Sequence, residues 1–352
     1  MRWITIDGPD PWREQCEAVY PMSNSDLRPA ASRNTDGLQR RDLLRGAAAL
    51  VVGSVALARS RQAAAQAADT DARWFPNFRA EQVTTAGAVI HAVIGGSGPP
   101  VLLLHGAPQS HVSWHAVARD LARDYTVVAA DLRGYGDSSK PEGGGDHAAY
   151  SKRTMANDQV EVMRHFGFDQ FAVVGQDRGG RVTHRMALDH PDVVTKAVLI
   201  DIVPTYYLYT HVTLQFVQAY FHWFNYLQPS PIPENILLAQ REAQAGRQLS
   251  AAQAEYQRTN GTAAGVHAMC EDYRAGASID LEHDQADLDQ RIRCPLHVLW
   301  AEGGAMDRIY DVLPIWRERA TNVTGKGMPG GHNMQEGAPN EVLAELRTFL
   351  RA

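Results

Sequence analysis

Short apolar runs alternate along the chain with stretches whose apolar residues recur every three or four positions. The runs VIHAVI (89–94), VLLL (101–104), YTVVAA (125–130), FAVVG (171–175), AVLI (197–200) and LHVLW (296–300) read as strands. Runs that stay apolar at successive positions suit strands buried on both faces of a sheet. Between them, 112–123 carries Trp114, Val117 and Leu121 at helical spacing, and 152–166 carries Met155, Met163 and Phe166. Residues 178–189, 309–320 and 341–352 also read as helices. Strands separated by helices predict an α/β architecture, a mostly parallel sheet flanked by helices with right-handed crossovers.

The alternation stops at 204 and resumes after 288. The intervening stretch is helical in pattern and rich in Gln and Ala late on. Early on it holds Tyr206, Tyr207, Tyr209, Phe216, Tyr220, Phe221, Trp223, Phe224 and Tyr226. Most of these aromatics are expected to pack as core. A helical insertion between two sheet strands is expected to cap the strand ends, where open α/β sheets bind ligands.

The first 67 residues are different. Residues 1–35 show no sustained apolar period. Then come Arg40-Arg41-Asp42-Leu43-Leu44, the 13-residue apolar run GAAALVVGSVALA (46–58), Arg59-Ser60-Arg61 and AAAQA (63–67). This order resembles a twin-arginine export signal with a small-residue cleavage site. The apolar run is too short to span a bilayer as a mature helix. The expected organisation is an export leader over 1–67, a core in two parts (68–203 and 289–352) and a cap over 204–288. The mature protein is then expected in the periplasm without stable membrane insertion, or in the cytoplasm if the signal is not functional.

Composition narrows the functional classes. The chain has 352 residues, is 44% hydrophobic and 21% charged, and carries a net charge of −6. A weakly acidic chain lacks the electrostatic footprint of a nucleic-acid binder. Three cysteines make no disulfide framework and lack metal-ligand spacing. Cys270 and Cys294, the two beyond the leader, are expected to be free thiols.

The chemistry concentrates in one turn. The strand at 171–174 runs into Gly175-Gln176-Asp177-Arg178-Gly179-Gly180 and then a helix. This has the form of the G-x-nucleophile-x-G elbow of the α/β-hydrolase fold, with Asp177 in the nucleophile position. A carboxylate is ionised at neutral pH and needs no base to activate it. It can displace a leaving group at saturated carbon, so the substrate is expected to carry a halide or an epoxide. The resulting ester must be opened by water, which needs a general base, and His332 in MPGGH (328–332) occupies a suitable loop. Two acids could orient it: Asp201, closing AVLID, and Asp307, after WAEGGAM. Asp201 follows its strand directly and is the favoured one. Oxyanion donors are expected from the Arg178 N–H and from the loop His105-Gly106-Ala107-Pro108, at Ala107. His105 itself reads as structural.

From about 78 to 350 the chain resembles the fluoroacetate (haloacetate) dehalogenases of the α/β-hydrolase superfamily. The segments that carry the resemblance are HGAPQSHVSW (105–114), DLRGYGDSSKP (131–141), GQDRGGRVTHRMALDHP (175–191), AVLIDIVPTY (197–206), FHW (221–223), CEDYRAGASIDLEHD (270–284) and PGGH (329–332). Epoxide hydrolases and haloalkane dehalogenases share several of these, but usually have tryptophan after the aspartate. The discriminating feature is Asp177-Arg178 with Arg181 one turn on. The resemblance implies an α/β-hydrolase fold with a helical cap after its sixth strand. It implies Asp177 as nucleophile, His332 as base and Asp201 as acid. It gives Arg178 and Arg181 to the substrate carboxylate, and His222, Trp223 and Tyr273 to the departing halide. The implied reaction converts a 2-haloacetate, fluoroacetate or chloroacetate, to glycolate and halide through an aspartyl ester, with no cofactor or metal. The expected partner is a small-molecule substrate, and a homodimer is compatible with the fold.

Residue chemistry agrees with that assignment. Positions 178 and 181 share one helical face, and paired guanidiniums grip a carboxylate well. Imidazole, indole and phenol donors suit a departing halide. Ala107 stands where the family commonly has phenylalanine, and the lid between Trp223 and Tyr273 is shorter than the family pattern. Two other readings compete. An epoxide hydrolase would use lid phenols such as Tyr206, Tyr207 and Tyr209. A catalytically silent binding protein is opposed by the intact Asp177, His332 and Asp201.

Overall fold

The structure, a computed structural model, describes residues 71–243 and 246–352. The expected leader at 1–67, with its arginine pair, lies outside the described residues.

An 8-stranded sheet runs in the order β1-β2-β4-β3-β5-β6-β7-β8. Its strands are β1 (Arg79–Thr84), β2 (Val89–Gly96), β3 (Pro100–Leu104), β4 (Thr126–Ala130), β5 (Phe171–Gln176), β6 (Val194–Ile200), β7 (Leu296–Ala301) and β8 (Val323–Met328). β2 pairs antiparallel with β1 and β4, and every other pair is parallel. All six residues of β5 are buried, which its unbroken apolar sequence requires. Two strands had no counterpart in the apolar pattern. β1 and β8 are the sheet edges, half exposed, and β8 reads VTGKGM. An edge strand needs apolar residues on little of its surface, so its sequence signal is weak.

Helices cover both faces. They are α1 (His115–Leu121), α2 (Lys152–His165) and α3 (Arg178–Asp189) before the cap. The expected helix at 112–123 is split, because a 3-10 turn (His111–Trp114) precedes α1; the Ser110 hydroxyl caps that turn by accepting from the Val112 N–H at 3.3 Å. Val182 and Met186 of α3 join the core on one face of the sheet. Val112, Trp114 and Leu121 join a second core on the other face.

The cap enters after β6, as expected for the fold. It comprises α4 (Thr205–Thr210), α5 (Leu214–Ala219), α6 (Phe221–Tyr226), α7 (Ile232–Ala243), α8 (Ala251–Asn260), α9 (Ala263–Gly276) and α10 (Ile279–Ala286). Residues 268–276 of α9 are all buried, although CEDYR is highly polar. Of the early aromatics, Phe216 and Trp223 are buried, whereas Phe221 is 66% exposed.

After β7 come α11 (Ala305–Ile309), α12 (Val312–Arg319), and, beyond β8, α13 (Met334–Gly337) and α14 (Pro339–Arg351). The single helix expected at 309–320 breaks because Tyr310 is extended, at φ −129° and ψ 144°. Val342, Leu346 and Leu350 of α14 complete the second core. Cys270 and Cys294 are free. No helix among the described residues is long and apolar enough to cross a membrane.

Candidate active site

Asp177 sits at the junction of β5 and α3 with φ 46° and ψ −114°. A non-glycine residue in that region is strained and persists only where its surroundings over-determine it. The Asp177 N–H donates to Ile200 O at 3.1 Å, and its carbonyl accepts from the Arg181 N–H at 3.1 Å. Glycine at 179 lets the helix approach closely. A Cβ there would lie 2.5 Å from Leu104 O and 2.6 Å from His105 O. The carboxylate is buried, and its Oδ2 accepts from the Ala107 N–H at 3.2 Å. Gly106 makes that approach possible, since a Cβ there would meet Gln176 Oε1 at 2.3 Å and Asp177 Cβ at 2.7 Å. Arg178 opens α3, so its N–H is one of the first-turn donors with no partner inside the helix.

Asp201 follows β6, also at positive φ, 56°. Its N–H donates to Leu299 O at 2.7 Å, and its Oδ1 accepts from the Ala301 N–H at 2.9 Å. The neighbouring strand β7 therefore fixes this carboxylate. Its Oδ2 meets His332 Nδ1 at 2.5 Å. His332 comes in on the loop after β8, through Gly330 and Gly331 at φ 96° and 72°. With Nδ1–H given to Asp201, Nε2 carries the lone pair, 3.3 Å from the Gln176 amide nitrogen. That nitrogen also donates to His332 O at 3.1 Å. Burial pulls the His332 pKa down, but the Asp201 hydrogen bond and the charges of Asp177 and Asp201 outweigh it and leave the pKa raised. Asp307 is elsewhere. It is exposed in α11 and caps its own turn by accepting from the Gly303 N–H at 2.8 Å.

Both elbow arginines are buried. Arg178 donates from Nε to Asp272 Oδ2 at 2.7 Å and from Nη2 to Asp272 Oδ1 at 2.8 Å. Its Nη1 has no hydrogen-bond partner. Arg181 donates from Nη1 to Thr205 Oγ1 at 2.9 Å and to Val203 O at 3.2 Å, and its Nε has no partner. Among the described residues no carboxylate forms an ion pair with Arg181. Burial, then the charge of Arg178, lowers its pKa, and Asp177 opposes them. Of these two buried cations only Arg178 is paired with a carboxylate, and Arg181 stands in the field of Asp177. A buried cation without a paired anion is costly, so this arrangement favours an anionic guest.

The aromatic wall comes from the cap. Trp223 and Tyr273 are buried and meet edge to face, centroids 5.4 Å apart. Arg181 lies 4.7 Å from the Trp223 ring centre and Arg178 lies 4.3 Å from that of Tyr273. His222 is exposed, with its ring 6.1 Å from Tyr273. Burial pushes the Tyr273 pKa well up, Asp177 adds to this and Arg178 opposes it, so the phenol keeps its proton at neutral pH.

The pattern of the alpha/beta hydrolase fold family matches residues 99–339. The chain belongs to the α/β-hydrolase fold family. Within it, the chain is 42% identical to a fluoroacetate dehalogenase of Burkholderia sp, over 78% of this chain and 95% of that one. It is 33% identical to a soluble epoxide hydrolase of Corynebacterium sp. (strain C12), over 76% of this chain and 96% of that one. A crystal structure of an alpha/beta hydrolase candidate from Nostoc sp PCC 7120 superposes with TM-score 0.75 at 50% identity, covering 78% of this chain and 99% of that one. The resemblance to fluoroacetate dehalogenases expected from the motifs is therefore found.

This α/β hydrolase also has site residues that motif reasoning missed. Asp272, on cap helix α9, is completely buried and accepts from Arg178, from the Tyr135 hydroxyl at 2.6 Å and from Lys152 Nζ. Burial would raise its pKa, but Arg178 and Lys152 hold the carboxyl well below the usual carboxylate range. Its only sequence signal was its place beside Tyr273 in CEDYR. Of the phenols considered for epoxide chemistry, Tyr207 stacks on His211 at 4.0 Å. The Tyr206 N–H donates to Asp284 Oδ2 at 3.3 Å. Tyr209 is the one among those three in the arginine field. Burial pushes its pKa up to about 12, with Arg178 and Arg181 opposing. Tyr220 was not singled out, yet burial and then the charges of Asp201 and Asp177 raise its pKa.

Proposed function

We propose that the protein hydrolyses 2-haloacetates, such as fluoroacetate or chloroacetate, to glycolate and halide. One observation carries this reading: two buried guanidiniums, one without a carboxylate partner, stand behind a buried carboxylate on a nucleophile elbow. An ester or alkane substrate has no use for that charge, whereas a small carboxylate neutralises it.

An Asp177 oxygen attacks C2 of the substrate and forms a C–O bond as the carbon–halogen bond breaks. The halide leaves with the electron pair towards His222, Trp223 and Tyr273. The guanidiniums of Arg178 and Arg181 hold the substrate carboxylate and offset its repulsion with Asp177. His332 Nε2 then takes a proton from water, and the hydroxide oxygen adds to the Asp177 carboxyl carbon. Asp201 stabilises the imidazolium. The Ala107 and Arg178 N–H groups receive the oxyanion. As the intermediate collapses, the imidazolium gives its proton to the departing alkoxide, releasing glycolate whose hydroxyl oxygen comes from Asp177, while the water oxygen stays in that side chain and its remaining proton passes to solvent. Measuring fluoride, chloride and bromide release from the three haloacetates tests the proposal; absence of release from all of them would overturn it.

A second reading is an epoxide hydrolase with the same nucleophile. Tyr220 and Tyr209, phenols that keep their protons near the site, are the observation that favours it. Diol formation from styrene oxide without halide release would select that reading. Secretion to the periplasm through residues 1–67 completes the proposal, and N-terminal sequencing of the mature protein tests it.

A further inference from the structure

On the far side of the oxyanion loop lies a second buried cluster of ionisable groups that the proposed hydrolysis does not use. Asp71, in the helical segment at 71–74 before β1, His91 of β2 and His111 are each more than nine-tenths buried. Each can offer one ligand atom, and the three atoms lie within 4.8 Å of one another. We propose that Asp71, His91 and His111 bind one divalent transition-metal ion of the zinc class.

The two separations from the Asp71 carboxylate are close to those within a coordination shell. Asp71 Oδ1 lies 3.0 Å from His111 Nε2 and 3.3 Å from His91 Nε2. Asp71 Oδ2 lies 3.2 Å from His91 Nε2 but forms no hydrogen bond, and it is buried. A tetrahedral zinc ion with bonds of about 2.0–2.1 Å separates its ligand atoms by roughly 3.3 Å. Two imidazoles and a carboxylate form a donor set suited to zinc, with the fourth position left to water.

The surroundings also suit an ion. The other ring nitrogen of His111, Nδ1, is 2.9 Å from Asp131 Oδ1, the carboxylate–histidine relay that orients metal-bound imidazoles. The carboxylates of Asp71 and Asp131 together balance a dipositive charge. Gln82, exposed on β1 directly opposite His91, reaches His91 Nδ1 at 3.1 Å. Turning its amide over would let its oxygen accept from Nδ1–H and leave His91 Nε2 free for the metal. On binding, each Nε2 forms a coordinate bond and any proton it carries passes to solvent. The ion would tie the helical segment at 71–74 to β2 and to the 3-10 turn that follows the oxyanion loop.

The test uses the full chain, freed of metal by a chelator and titrated calorimetrically with zinc chloride alone. One equivalent should bind more tightly than about 10 μM and raise the melting temperature. His91→Ala and Asp71→Asn should each weaken that binding about 100-fold, while His332→Ala binds as the parent does. Cobalt loading of the parent chain should give the intense visible bands of a tetrahedral site, a readout that does not depend on how the variants fold. Failure of the parent chain to bind one equivalent, or zinc binding unchanged in both His91→Ala and Asp71→Asn, would overturn the proposal and leave the cluster a histidine–aspartate clasp.

Discussion

His332 and Asp201 are 131 positions apart in the chain, yet Nδ1 of one meets Oδ2 of the other at 2.5 Å. The contact fixes more than distance. It assigns the Nδ1 proton, turns the Nε2 lone pair into the site and sets the basicity of the ring.

The pH profile should follow from that contact. As the proposed base, His332 would work only when neutral, and its pKa is raised above 6.5. Turnover should therefore fall as pH drops through that raised value and level off above it. Fold stability runs the opposite way: the stabilisation from the charged ring is full below about 6.5 and fades as pH rises through the raised pKa. Asp201→Asn should shift the kinetic midpoint downwards and reduce the plateau. An unchanged midpoint in Asp201→Asn would remove Asp201 from the role.

His332→Ala should stop the second step and spare the first. Intact-mass spectrometry after incubation with chloroacetate should then show the enzyme carrying a carboxymethyl ester on Asp177. Turnover should drop at least about a thousandfold. A variant that never accumulates the adduct while the parent turns over would rule out the ester route.

Arg181→Met separates carboxylate recognition from bond breaking. A charge-assisted hydrogen bond contributes about 1.5–3 kcal/mol, so kcat/KM for haloacetates should fall about 10- to 100-fold, chiefly through KM. Turnover of a neutral substrate such as styrene oxide, if present at all, should not fall with it. Equal losses on both substrates would show that Arg181 acts through structure alone.

Gly179→Ala should fail on packing. The new Cβ would press against the carbonyl oxygens of Leu104 and His105 at 2.5 and 2.6 Å, and neither is the end of a flexible side chain. Denaturant unfolding should show a loss of about 2 kcal/mol or more, with turnover reduced in the material that folds. Melting and activity equal to the parent would mean the elbow has slack that these distances deny.

The central strands were legible because burial on both faces leaves an unbroken apolar run, as in FAVVG. The edges β1 and β8 were not, since TGKG has little to bury. The elbow announced itself through glycine spacing around Asp177. Choosing between Asp201 and Asp307 as the group beside His332 needed the third dimension: both follow strands, but only one is anchored by β7 and faces the histidine. Asp272 had only its place beside Tyr273 to mark it, because one acid in a charged helical stretch looks like any solvated residue. Asp71, His91 and His111 are equally unreadable, since they come from three separate segments that only the fold brings together.

Asp272 connects matters that could have been separate. One carboxylate from α9 fastens the cap to Tyr135 and Lys152 of the core and is also the counter-ion of Arg178. Swinging α9 outward would strip that guanidinium of its anion and part the cap from Tyr135 and Lys152 in the same movement.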